Sequence, residues 1–200
     1  MPKPFAMART QAADYDARRA AIVEAAARLF ARKGFPGASV AELAAACGAS
    51  KSLIYHYYPG KEEILFAVMD GHLRALLGAA RAVPDGPAEA RLRVLTRALM
   101  REYAGAAAAQ KVLLNELDQL PPERRLAIVA EQRALIGQVE EMVADLAPTL
   151  AKPERLAAAM LFFGMINWTH TWWDPGGTLD ADRIAQLASD TFLNGLAQAS

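Results

Sequence analysis

Between Asp16 and Gly60 the chain is punctuated at intervals too short for ordinary helices, and this spacing limits the fold more than any other feature. From Asp16 to Lys33, the residues Ile22, Ala25, Ala26, Leu29 and Phe30 recur at i, i+3, i+4, i+7 and i+8, the pattern of a one-faced helix. Gly34 supplies its C-terminal stop. Ser39 then precedes Val40, Leu43, Ala44 and Cys47 at helical spacing, and Glu42 three residues after the serine completes a capping box. Gly48 closes this short helix, and Ser50 can cap a third that Pro59-Gly60 terminates. Three helices therefore fit in about 45 residues. Two short helices joined through a glycine and braced by a longer one are the spacing of a helix-turn-helix unit.

The remainder reads as helix throughout. A longer helix from Lys61 to Ala82 carries Ile64, Leu65, Val68, Leu73 and Leu76 before the breakers Val83-Pro84-Asp85-Gly86-Pro87. Further helices are predicted at 88–109, 110–119, 122–147, 153–173 and 181–197, with boundaries near Gly105, Pro121-Pro122, Pro148, Pro153 and Asp174-Pro175-Gly176-Gly177. The chain is 54% hydrophobic and rich in Ala, Leu, Arg and Glu, with no sustained strand-like alternation. The expectation is an all-α protein: a flexible arm at 1–15, a helix-turn-helix domain at 16–61, and a helical effector-binding and dimerisation domain at 62–200.

A formal net charge of zero hides a polarity along the chain. Up to Lys61, nine Lys or Arg stand against four Asp or Glu, a net +5, while the rest carries a net −5. A basic end can face phosphates while an acidic body repels them. Cys47 is the only cysteine, which leaves no intrachain disulfide and no cysteine cluster for zinc, and suits a reducing cytoplasm. The first sixteen residues lack the apolar core of a signal peptide. The apolar run from Leu156 to Trp168 is shorter than the roughly 18 to 20 residues of a membrane span. No cofactor, metal or membrane partner is expected.

On the third helix Leu53, Ile54 and Tyr57 can face inward, which leaves Lys51, Ser52, Tyr55 and His56 on the opposite face. A lysine can donate to guanine O6 or N7, a tyrosine can meet a thymine methyl or a phosphate, and a serine can do either. Lys61 stands in the first turn of the next helix, where the dipole disfavours a cation, and an external phosphate there would satisfy both. Ser39 and Ser50 sit at helix starts, where capping alone or a phosphate contact would each account for them.

Phe35, Ala38-Ser39-Val40 with Leu43-Ala44, Gly48-Ala49-Ser50-Lys51, Ile54-Tyr55 and Lys61-Glu62 resemble the N-terminal signature of the TetR family. The resemblance covers about the first third of the chain. It implies a homodimer whose third helices enter successive major grooves of double-stranded operator DNA, with Ser50, Lys51, Ser52, Tyr55 and His56 as readers and Lys61 as a phosphate anchor. The chain departs from that pattern at one place, where Tyr57-Tyr58 stand where family members carry histidine and an aromatic, and the histidine moves to 56.

Helix 153–173 is apolar on nearly all sides, which indicates burial on more than one face. Leu161, Met165 and Trp168, with Ile184, Leu187 and Phe192 of the last helix, are the expected dimer interface. Phe163, Asn167 and His170 are the expected lining of an effector cavity. The segment from Met165 to Pro175, with Gly177, Leu179 and Phe192-Leu193, is similar to the C-terminal region of TetR regulators of fatty-acid and phenylacetate breakdown. That resemblance implies a small-molecule effector of the acyl-CoA thioester class, with an anionic portion for which Arg97 and Arg101 are candidates; the favoured reading of the Arg93, Arg97 and Arg101 stripe is a solvated face that pairs with acids such as Glu89 and Glu102. The rival expectation is a small helical carrier or enzyme that uses the same cavity without DNA. The sequence offers it no Gly-rich phosphate loop, metal-ligand spacing or paired nucleophile.

Overall fold

The computed structural model describes the backbone of residues 4–199 and the side chains of residues 14–199. Among them are nine α-helices and no strand: α1 (Pro4–Lys33), α2 (Val40–Ala46), α3 (Lys51–Tyr57), α4 (Lys61–Arg81), α5 (Ala88–Gly105), α6 (Ala107–Asn115), α7 (Pro122–Leu146), α8 (Lys152–Asn167) and α9 (Ala181–Ala199). Short 3-10 turns follow α6 (Leu117–Gln119) and α8 (Trp168–Thr171). α1 begins at Pro4 rather than at Asp16, so most of the segment read as an arm belongs to a long first helix; residues 1–3 of that arm lie outside the described residues.

The α2–α3 unit is built by local chemistry. Ser39 Oγ accepts from the Glu42 amide at 3.2 Å while the Glu42 carboxylate accepts from the Ser39 amide at 3.0 Å, the reciprocal capping box. Glu42 also pairs with Lys33 of α1. The lysine bond and the two serine bonds hold the Glu42 carboxyl down at about 2. At the other end of α2 the Gly48 amide donates to Ala45 O at 3.1 Å and the Ala49 amide to Ala44 O at 2.9 Å, with Gly48 at φ +60°. This is a Schellman stop, and its left-handed residue is one that glycine adopts without a Cβ clash. Ser50 Oγ then accepts from the Leu53 amide at 3.1 Å and caps α3, which begins at the next residue. Ile54 and Tyr58 drop into a core with Phe30, Phe35, Leu43 and Leu65.

In the larger domain α5 is the central helix, burying Leu92, Leu95, Thr96, Leu99, Met100 and Tyr103 against α4, α7 and α9. The predicted 88–109 helix breaks at Ala106, where φ −132° and ψ 39° leave the helical region and start α6 on a new axis. The predicted 153–173 helix ends at Asn167. Just beyond it, Thr169 Oγ1 donates to Ile166 O, His170 Nδ1 donates to Asn167 O and Thr171 Oγ1 donates to Trp168 O, at 2.6, 2.7 and 2.8 Å. Three successive side chains thus bond back onto the carbonyls three residues behind them, which tightens the helix into a 3-10 turn. α8 packs mainly on α7 and α9 mainly on α5, so the direct seam between α8 and α9 is thin.

Candidate nucleic-acid interface and effector cavity

Lys51, Ser52, Tyr55 and His56 all lie exposed on α3, and Tyr55 shows 52% of its surface to solvent. Leu53 and Tyr57 are half-buried and Ile54 is fully buried, so the helix presents the face that its periodicity predicts. The exposed face is rigidly backed. Tyr57 packs on Tyr15 of α1 with ring centroids 4.7 Å apart, and His56 meets the same two rings edge-on. Arg19 Nε donates to the buried Tyr58 hydroxyl at 3.2 Å, which ties the end of α3 to α1. Tyr15 and Arg19 are positioning residues that the sequence did not disclose, because their partners stand on another helix.

Ser39 and Ser50 are exposed, but both hydroxyls already accept capping bonds. Lys61 is half-buried: its ammonium donates to Ala38 O at 2.7 Å and lies 4.1 Å from the centre of the Phe35 ring. A carbonyl and an aromatic face therefore offset the unfavourable helix-dipole position from inside the protein. Glu62 and Glu63 supply the acidic first turn that the dipole favours.

A cavity of about 190 Å³ lies between α4, α5, α6, α7 and α8. Phe163 and Asn167, both expected there, line it together with Tyr103, Gln110, Leu135 and Met160. Its polar wall is one connected cluster. Tyr103 Oη donates to Asn167 Oδ1 at 2.8 Å, and Gln110 Nε2 donates to the same oxygen at 3.2 Å. Gln110 Oε1, which can only accept, takes a hydrogen bond from His72 Nε2 at 2.7 Å, and burial holds the His72 ring below the usual histidine value. With both donors converging on Asn167 Oδ1, the amide hydrogens of Asn167 remain to donate to a guest.

His72 makes stability depend on pH with a definite sign. Its folded value lies below 6.5, so the unfolded chain binds the proton more readily and stability falls as pH drops below that point. A melting experiment at about pH 7 and about pH 5 should show a larger loss for the wild type than for His72→Gln, which keeps a donor to Gln110 without the titration. Equal losses in the two proteins would contradict the assignment.

His170 does not join Phe163 and Asn167 in that cavity; it lines a neighbouring cleft. Arg97 and Arg101 line neither. Arg101 makes a two-pronged pair with Asp182 of α9 at 2.7 and 2.6 Å, and Arg97 is exposed on α5 one turn earlier. Arg93 pairs with Asp190 of α9 as well as Glu89. The basic stripe on α5 is thus an anchor for α9, with acids that differ in part from those expected.

The expected dimer residues divide in the same way. Leu161 is 72% exposed and Trp168 65%, Leu187 is exposed, and Met165 and Phe192 line an apolar groove of about 450 Å³ between α8 and α9. Ile184 is only 4% exposed and belongs to the protomer's own core, on the face of α9 that packs against α5. Cys47 is half-buried, and burial pushes its thiol up, away from nucleophilic use. Among the described residues no group of His, Cys, Asp and Glu could hold a metal ion, and no helix is long and apolar enough to cross a membrane.

Fold and surface together define a helix-turn-helix module mounted on a larger helical body. Residues 22–68 match the bacterial regulatory proteins of the tetR family, and residues 85–196 match the tetracyclin repressor-like C-terminal domain. The chain belongs to the TetR family of transcriptional regulators. It is 24% identical over 188 residues to the HTH-type transcriptional repressor KstR2 of Rhodococcus jostii, covering 90% of this chain and 91% of that one. A TetR-family regulator from Bordetella parapertussis superposes with a TM-score of 0.85 at 36% identity, over 88% of this chain and 94% of the other. AibR, solved in complex with isovaleryl coenzyme A and operator DNA, superposes with a TM-score of 0.76 at 29% identity, over 87% of this chain and 97% of its own.

Proposed function

We propose that the chain is a homodimeric repressor that binds palindromic operator DNA through α3 and leaves it when a small molecule of the acyl thioester class enters the cavity beside Asn167. The observation that carries this reading is the exposed row Ser50, Lys51, Ser52, Tyr55 and His56, on a capped helix braced by Tyr15 and Arg19, at the basic end of the chain. Two such rows in a symmetric dimer would enter successive major grooves roughly 34 to 36 Å apart. An effector that binds better to a dimer of another spacing lowers operator affinity by its preference for that state. Lys61, by holding the Ala38 carbonyl, sets the entry to α2, and its remaining N–H groups can serve a phosphate.

The apolar cavity with one amide donor suits a short chain ending in a carbonyl acceptor. The structure of AibR with isovaleryl coenzyme A and operator DNA is a precedent in a relative. Such a regulator works in the cytoplasm, beside its DNA. The test is a gel-shift titration in which short-chain acyl-CoA thioesters are added to the operator complex. Release at micromolar thioester is the expected result, and retention at every concentration rejects this effector class. A carrier or enzyme without a nucleic-acid partner would show no duplex binding at all.

A further inference from the structure

Next to the cavity lies a second, separate cleft of about 410 Å³, where α1, α6 and the connection from α8 to α9 meet. We infer that this cleft binds the phosphorylated, ring-bearing end of the effector, while the apolar end occupies the inner cavity; for that inner half the inference rests on the effector reading above. Three cations line it, Arg28 and Arg32 from α1 and Lys111 from α6, and no carboxylate does. Arg28 has Glu24 as a partner, whereas Arg32 and Lys111 have no ion pair among the described residues. Three positive groups on one concave wall repel one another, and an anion seated among them relieves that repulsion. The adjoining cleft towards Gly34 shares Arg32, Lys111 and His170 with this one and adds Glu116, so the carboxylate lies on the far side of the same cations.

The other wall supplies rings. His170 and Trp173 line the cleft, and each is held by one nitrogen: His170 Nδ1 on Asn167 O at 2.7 Å, Trp173 Nε1 on Leu179 O at 2.8 Å. Aromatic rings fixed in this way are stacking surfaces for a nucleobase, and the guanidinium and ammonium groups of the same cleft suit phosphate oxygens. A phosphorylated nucleotide satisfies both walls; inorganic phosphate satisfies only one.

The two spaces share a partition. Tyr103 and Gln110 line both of them, and both bond to Asn167 Oδ1. One ligand with an apolar tail, a carbonyl at the partition and a nucleotide head would span both spaces once the hydrogen-bonded partition opens. Such a ligand would also bridge Arg28 and Arg32 on the helix that braces α3 to Lys111 and Trp173 on the larger domain. Binding energy would then depend on how α1 sits against α6, which is the coupling that an effector needs to shift the reading helices.

Coenzyme A itself, as the free thiol, tests the cleft without any acyl chain. Calorimetric titration should show it binding to the wild-type protein, about tenfold more weakly to Arg32→Ala or Lys111→Ala, and about a hundredfold more weakly to the double variant. Trp173→Leu should also weaken it. Because Arg32 and Lys111 are exposed, melting temperatures of these variants should match the wild type, which separates lost contacts from lost folding. Absence of coenzyme A binding to the wild type, or affinity within twofold in the double variant, overturns the inference. The N-acetylcysteamine thioester of butyrate, which lacks the nucleotide, gives a separate arm for the inner cavity. Its failure to bind in the same calorimetric titration would count against the acyl reading, while the coenzyme A titration would still decide the cleft.

Discussion

Leu161→Asp should convert the dimer to a monomer and lower operator affinity by more than about a hundredfold, as sedimentation velocity and gel shifts would record. Leu161 is 72% exposed in the protomer, so the substitution leaves the protomer's own core intact and the helical circular dichroism signal should persist. This position lines the apolar groove with Met165 and Phe192, the face proposed to pair between protomers. An isologous interface meets the change twice, and each unpaired carboxylate removed from water costs several kcal/mol. Once apart, each protomer holds a single half-site and loses the gain from tethering two readers on one duplex. A variant that remains dimeric would mean that the protomers pair through another surface.

Asn167→Leu should destabilise the fold by about 2 to 5 kcal/mol, because the Tyr103 hydroxyl and the Gln110 amide both lose the oxygen that accepts from them. In a chain of this size that corresponds to a fall in melting temperature of about 5 to 15 °C at fixed protein concentration. Tyr103 is buried and burial raises its hydroxyl pKa well above the ordinary value, so it stays protonated and needs an acceptor. Adding Tyr103→Phe to the variant removes one orphaned donor and should recover part of the loss. A melting temperature within a degree of wild type would show that these bonds do not form in solution.

The α2–α3 unit was legible because its determinants are local. Capping serines, a glycine stop and a 3.6-residue period lie within one short stretch, so the exposed set on α3 follows from spacing alone. What was illegible depends on partners far along the chain. Lys61 looked like an uncompensated cation until Ala38 and Phe35 appeared beneath it. The sequence offers Arg101 only the acids of its own helix as partners, because Asp182 lies on another helix. Ile184 shares an apolar stripe with Leu187 and Phe192, yet packing against α5 takes Ile184 inward and leaves Leu187 outside, a division that periodicity does not reveal. The cations of the outer cleft come from separate segments, Arg28 and Arg32 from one and Lys111 from another, and only the fold brings them together.

Duplex affinity as a function of salt is the most direct measurement of the central claim, that the α3 face grips the phosphates and base edges of DNA. A dimer making several phosphate contacts should lose affinity by about a thousandfold or more between about 50 and about 200 mM salt. Lys51→Ala should bind more weakly and discriminate operator from random duplex less well. Affinity that is indifferent to salt, or a Lys51→Ala, Tyr55→Ala double variant that binds and discriminates like the wild type, would contradict the account.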